Sequence, residues 1–210
     1  MILSRKAPCI VFLCCCLVVT LAGAAMAGEY IVDGKAKVKV WNSSPVMTAE
    51  WAGGTKDGYA EGKGVMKWFE DGVLDEKCEG NFVKGKAEGK CTFEAYDKKG
   101  KVYMTGEADF KNGAPNGKGV MKWTDGRKYE GGMKDGKEDG KGVFTWKNGT
   151  RYEGDFVQGV MEGKGVITSK DGRKYEGEFR HGLPNGQGTK TLPGGKVETG
   201  KFENGKFLGK

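Results

Sequence analysis

The chain is 210 residues long, with 38 glycines, one histidine and a net charge of +7. Glycine every few positions excludes a helical fold, because each costs about 1 kcal/mol in a helix interior. The lone His181 excludes a histidine-dependent triad and a multi-histidine metal site, and charges of mixed sign exclude the one-sided basic footprint of a nucleic-acid binder.

Residues 1–27 read as an export signal. Arg5 and Lys6 supply the positive start, residues 10–21 are apolar, and Ala25-Met26-Ala27 is a small-x-small cleavage site before Gly28. The protein is therefore expected to be exported, periplasmic or secreted, after cleavage near Ala27. An uncleaved membrane anchor is the alternative, although the apolar core is short for a span. Without these residues the net charge is +5. Residues 28–50 stand outside any repeat. Apolar and polar side chains alternate over 36–41, which predicts a capping strand or hairpin at the open end of the chain's repeat array.

That array occupies residues 51–210. One template starts at Trp51, Cys78, Gly106, Tyr129, Tyr152, Tyr175 and Glu198, with intervals of 27, 28 and then 23 residues. A fixed period in this range marks a repeat protein. Only four leucines follow residue 27, which excludes a leucine-rich array. The seventh and eighth positions are a turn pair throughout, including Asp57-Gly58, Asn112-Gly113, Asp135-Gly136 and Asn204-Gly205, and such pairs favour type I′ hairpins.

Folding the chain evenly about that turn predicts Tyr152 opposite Gly165, Gly154 opposite Gly163 and Glu153 opposite Lys164. One face would then pair Glu79 with Lys90, Glu107 with Lys118 and Glu130 with Lys141, each pair contributing roughly 0.2–1 kcal/mol. The other face would lay Trp51 over Gly64, Tyr129 over Gly142, Tyr152 over Gly165 and Tyr175 over Gly188, each ring shielding a glycine backbone. Between repeats, the connection Trp123-Thr124-Asp125-Gly126-Arg127-Lys128-Tyr129 fits a three-residue loop with a left-handed glycine bulge. The predicted fold is all-β: an elongated, single-layer antiparallel meander of about seven 23-residue β-hairpin repeats. Insertions near 73–77 and 98–103, and Gly106 at an aromatic column, predict longer connections and an irregular or bent sheet there.

The segment Tyr152-Glu153-Gly154-Asp155-Phe156, the Gly-Lys-Gly run after it and the Asp-Gly-x-x-Tyr connection resemble the MORN (membrane occupation and recognition nexus) repeat over about residues 51–210. The resemblance implies an elongated, curved single-layer sheet used for scaffolding, dimerisation or membrane contact, usually without catalysis.

Cleavage would leave two cysteines, Cys78 and Cys91, in the columns held elsewhere by the aromatic and its glycine. The even register sets them opposite one another, with Cα atoms about 4.5–5.5 Å apart. A Cys78–Cys91 disulfide is expected in an oxidising compartment, with two buried free thiols as the alternative. The run from Gly80 to Lys86 has phosphate-loop spacing but ends in Ala87, and the Gly-Lys-Gly tripeptides lack the third glycine of a dinucleotide fingerprint. No catalytic residue, cofactor site or metal site is expected. The candidate interaction face is aromatic: Trp51, Trp68, Phe110, Trp123, Tyr129, Trp146, Tyr152, Phe156, Tyr175 and Phe179 share one side of a single layer. Either these rings cover the glycines and each other, or part of them meets a partner. The expected function is an exported, non-catalytic scaffold for protein–protein contact or self-association, with peripheral attachment to an anionic membrane as the alternative.

Overall fold

The computed structural model describes residues 38–40 and 47–210, and all of its strands belong to one antiparallel sheet of fifteen in strict sequence order. The strands are β1 (Val38–Val40), β2 (Met47–Lys56), β3 (Tyr59–Glu70), β4 (Val73–Val83), β5 (Lys86–Tyr96), β6 (Val102–Lys111), β7 (Ala114–Trp123) and β8 (Lys128–Lys134), then β9 (Lys137–Thr145), β10 (Arg151–Val157), β11 (Val160–Thr168), β12 (Lys174–Arg180), β13 (Leu183–Thr191), β14 (Val197–Glu203) and β15 (Lys206–Gly209). The proposed signal and its cleavage site lie outside the described residues. Every hairpin turn has the backbone its sequence asks for. Gln158 and Gly159 have φ of 50° and 84°, and Asp57-Gly58, Lys84-Gly85, Asn112-Gly113, Asp135-Gly136, His181-Gly182 and Asn204-Gly205 match them. Inter-repeat loops close as three-residue turns: Trp123 N–H donates to the Arg127 carbonyl, and Gly126 sits at φ 96°.

The pairing register differs from the even one. Phe156 faces Met161, as a turn at Gln158-Gly159 requires, but Gly154 faces Gly165 and Tyr152 faces Ile167. Asp155 alone spans Glu162, Gly163 and Lys164, so each hairpin carries a β-bulge, and the same shift recurs at Gly53/Gly54, Gly80/Asn81, Ala108/Phe110, Gly131/Met133 and Gly177/Phe179. The cause is the twelfth position, glycine in every copy: Gly62, Gly89, Gly140 and Gly163 have φ of 68–82°, a left-handed conformation that ejects extra residues from a ladder. A two-residue shift keeps every side chain on its expected face while changing its partner.

Two expectations change with the register. Glu153 faces Val143 and Val166, not Lys164, and Lys164 faces Glu178 of the next repeat. Lys141 likewise faces Asp155, with an ion pair of 2.7 Å. These two contacts join neighbouring repeats, while Lys77 with Glu94 at 3.7 Å is an ion pair that closes its own hairpin. Cys78 faces Phe93 and Cys91 faces Gly80, so the cysteines are diagonal neighbours, about 7–8 Å apart at Cα in a typical sheet and beyond the usual disulfide span. Both are buried free thiols. The insertion near 73–77 lengthens strands rather than a loop: β3 and β4 meet at a tight Asp71-Gly72 turn, with a bulge at Trp68/Phe69.

The core is one face of one layer. A Cβ placed on Gly165 would stand 2.5 Å from the Tyr152 ring, so the aromatic lies flat on the bare backbone. Gly64, Gly142 and Gly188 are covered in the same way by Trp51, Tyr129 and Tyr175, and Gly106 by Phe93. Edge-to-face contacts then run unbroken from Tyr129 through Phe156, Tyr152, Phe179 and Tyr175 to Phe202, with ring centroids 4.9–5.4 Å apart. Such pairs contribute about 0.5–1.5 kcal/mol each beyond burial. Each ring's polar tip serves the bulge: Tyr152 and Tyr175 donate to the carbonyls of Asp155 and Glu178, both at 2.9 Å, and Trp51 Nε1 donates to Gly54.

Candidate interaction surface

The aromatic face is closed. Trp51, Phe110, Trp123, Tyr129, Tyr152, Phe156, Tyr175 and Phe179 are each 0–5% exposed. Only Trp68 and Trp146 of the expected set are partly accessible. Rings laid over glycine cover themselves, so this side is the protein's core and offers a partner little area. Burial pushes the Tyr152 phenol up to about 12 and raises Tyr129 and Tyr175 as well. Glu138 intrudes on this side in a column otherwise filled by Ala60, Ala87, Pro115, Met161, Pro184 and Phe207, and burial raises its carboxyl above the ordinary range. Cys91 is pulled down by a hydrogen bond from the Cys78 thiol, against a smaller opposing effect of burial. Trp123 Nε1 is the only fully buried side-chain polar atom without a partner among the described residues, and the Arg127 guanidinium lies 5.0 Å from that ring's centre.

The opposite face holds the open concavities. Three shallow hollows open here, the widest of about 870 Å³, lined by Glu130, Lys141, Val143, Glu153, Lys164, Val166, Glu176 and Glu178. The others lie along the same line toward β3, around Val65, Glu79, Thr92, Glu107 and Val120. The bulged register organises this groove. One cross-strand row runs Val65, Glu79, Thr92, Glu107, Val120, Glu130, Val143, Glu153, Val166, Glu176 and Thr189, each facing the next across adjacent strands. The valines are half-buried and the glutamates exposed. A basic row flanks it, where Lys128 pairs with Glu130, Arg151 with Glu153 and Lys174 with Glu176 at 2.6–2.8 Å. On the other side lie Lys141 with Asp155, and Lys164 facing Glu178.

Sequence reasoning missed this row because it paired the second-position glutamates with lysines. The signal available was the twelfth-position glycine. A Cβ at Gly62, Gly89 or Gly140 would meet nothing within 4 Å, so glycine there serves conformation and not space.

Neighbouring repeats are also clamped at the turn tips. Carboxylates of Glu61, Glu88, Asp139 and Glu162 accept from the turn N–H groups of Lys84, Asn112, Gln158 and His181, one repeat on, at 2.8–3.2 Å. His181 Nδ1 lies 3.3 Å from Glu162 as well, which makes it a turn residue held by the preceding repeat. Among the described residues no group of three or more His, Cys, Asp or Glu could hold a metal ion, and no helix is long and apolar enough to cross a membrane.

Comparison with curated proteins gives no match. A family model described as MORN repeat matches residues 50–72, 78–98, 107–126, 129–151, 152–172 and 175–197. These segments fall on the hairpins and loops described above and cover more than half of the sequence, so the chain belongs to the MORN repeat family.

Proposed function

We propose that the protein is an exported, non-catalytic scaffold that docks another protein along the groove face. The observation that carries this reading is the continuous row from Val65 to Thr189. It offers a β-branched side chain at every second strand, half-buried at all but Thr92, between exposed glutamates, on the side where the three concavities open. Family membership supports a binding role in general, and the sequence of residues 1–27 supports export.

The test places charge in the groove floor. Val143→Lys with Val166→Lys should leave the melting temperature close to that of the wild type and abolish capture of the partner that wild-type protein crosslinks in its own compartment. Retention of that partner by the double variant would count against the groove. Equilibrium sedimentation distinguishes a second copy from a different protein. Flotation with anionic vesicles separates both from the alternative of membrane attachment. Export is checked by N-terminal sequencing of the protein isolated from its source: a start at Gly28 supports it, and a start at Met1 opposes it.

A further inference from the structure

The two long edges of this sheet are chemically different. A meander puts the seven within-repeat hairpin turns on one edge and the inter-repeat connections on the other; the first of these connections is the tight, cation-free Asp71-Gly72 turn, and the other five are longer loops. The five loops at 96–101, 122–128, 145–151, 168–174 and 190–197 hold thirteen Lys or Arg against three Asp. The five turn tips that follow them, 111–116, 134–139, 157–162, 180–185 and 203–206, hold five basic residues against five acids. Six of the loop cations are occupied: Arg127 and Arg173 pair with Asp125 and Asp171 in their own loops, while Lys128, Arg151, Lys174 and Lys196 pair with strand glutamates. Lys122, Lys147, Lys170, Lys190 and the three lysines of 96–101 make no ion pair among the described residues. Two of them are laid in line along the edge. A Cβ on Gly126 would lie 3.9 Å from Lys147 Cγ, and one on Gly149 would lie 3.8 Å from Lys170 Cδ, so each stem packs on the loop of the repeat before it.

We propose that this loop edge binds an extended acidic peptide segment, part of a protein partner, with an acidic side chain at about every third residue. The proposal rests on the protein-docking reading above and assigns the partner a charge and a spacing. Successive hairpins advance by two strand spacings, about 9.5 Å, and an extended peptide covers that distance in about three residues. The lysines without an ion pair among the described residues, three at 96–101 and one at each later loop, therefore meet one carboxylate every third position, over about twelve residues for five loops. A narrow ridge one loop wide fits a single extended chain. Because adjacent strands rotate by about 20–25°, the ridge spirals, and a flexible segment follows it where a flat bilayer meets only part of it.

The probe is a labelled peptide of about twelve residues with glutamate at every third position and neutral residues between, titrated by fluorescence anisotropy into the full-length protein. A control peptide has the same composition with its glutamates clustered at one end. The spaced peptide should bind at low salt and weaken as salt rises. Lys98→Gln with Lys147→Gln and Lys170→Gln should weaken it by about tenfold, whereas Lys134→Gln with Lys137→Gln and Arg180→Gln on the tip edge should not. All six residues are surface side chains, and unchanged melting curves would confirm that both triple variants fold. Equal loss in the two variants, equal binding of the clustered peptide, or tighter binding of polyphosphate or anionic vesicles than of the spaced peptide would each overturn the proposal. Failure here leaves the groove reading standing if the Val143→Lys, Val166→Lys variant still loses its partner.

Discussion

Gly165→Ala isolates the contact on which the fold depends. The added Cβ would stand 2.5 Å from Tyr152 Cε2 and Oη and 2.7 Å from Cζ, where carbon contacts ordinarily sit at about 3.5–4.0 Å. The ring would have to lift by about 1 Å. It has no room to do so: Tyr152 is fully buried, with Phe156 and Phe179 at 5.1 and 5.0 Å and its hydroxyl held by the Asp155 carbonyl. Overpacking of this kind costs about 1–3 kcal/mol. Tyr152→Ala alone should cost about 3–5 kcal/mol, as loss of a buried aromatic does. With the ring gone, the three atoms nearest that Cβ are removed and alanine at 165 should cost less than it does in the wild type. Urea unfolding of the wild type, both single variants and the double variant should therefore give a coupling of about 1–3 kcal/mol. Gly163→Ala is the control, because its cost comes from φ 68° and from the Asp155 side chain, not from the ring, and should be the same with or without Tyr152. Additive costs for Gly165→Ala and Tyr152→Ala, within about 0.5 kcal/mol, would refute the ring-on-glycine account.

Tyr152→Phe keeps the ring and removes one donor to the bulge carbonyl of Asp155, which should cost about 1 kcal/mol by thermal melting. Glu138 contributes pH dependence with a defined sign. Its folded pKa is raised, so its protonated form favours the fold; the contribution is full below the unfolded carboxyl value and is lost as pH rises through the folded one. The gain in melting temperature on acidifying through that window should be smaller in Glu138→Gln than in the wild type, and identical pH profiles would reject this assignment. Cys78→Tyr alone would drive a ring into Cys91, whereas Cys78→Tyr with Cys91→Gly recreates the arrangement of other repeats; the double variant should melt higher than the single one. Glu162→Ala removes the acceptor for the His181 amide and should lower stability by about 1 kcal/mol, with faster hydrogen exchange at His181 as the local readout.

Period, turns and faces were legible in the sequence because each rests on chemistry between near neighbours. At the seventh and eighth positions Asn-Gly and Asp-Gly report positive φ at two adjacent residues, and the structure has it there. The coincidence of aromatic and glycine columns reports a ring over a bare backbone, and Gly165 lies under Tyr152 although it faces Gly154. Register was not legible by folding evenly about the turn. Inserting two extra residues per hairpin leaves the alternation of faces intact, so the face pattern agrees with both registers and cannot choose between them. The glycine columns could have separated them, because the third and fourteenth positions carry rings and the twelfth carries none. That difference marks the twelfth glycine as a left-handed bulge residue. It moves Cys91 from opposite Cys78 to opposite Gly80, and moves Glu79, Glu107, Glu130 and Glu153 from a lysine to a valine or threonine.

The choice of interaction face turned on the same geometry. Many apolar residues on one side of a single layer suggest an exposed apolar surface if each ring stands upright, since no second sheet covers it. Glycine at positions 3 and 14 removes the side chains that would hold the rings up. Each aromatic then lies down across two strands, as Tyr152 does over Gly154 and Gly165, and its edge meets the next ring. Eight of the ten expected contact residues are consequently interior, and the fold closes a core with one layer. The surface left for recognition is the one where valine, threonine, glutamate and lysine stand upright from the backbone. A partner selected by that surface reads charge spacing set by the strand separation, so its specificity is inherited from the repeat length itself.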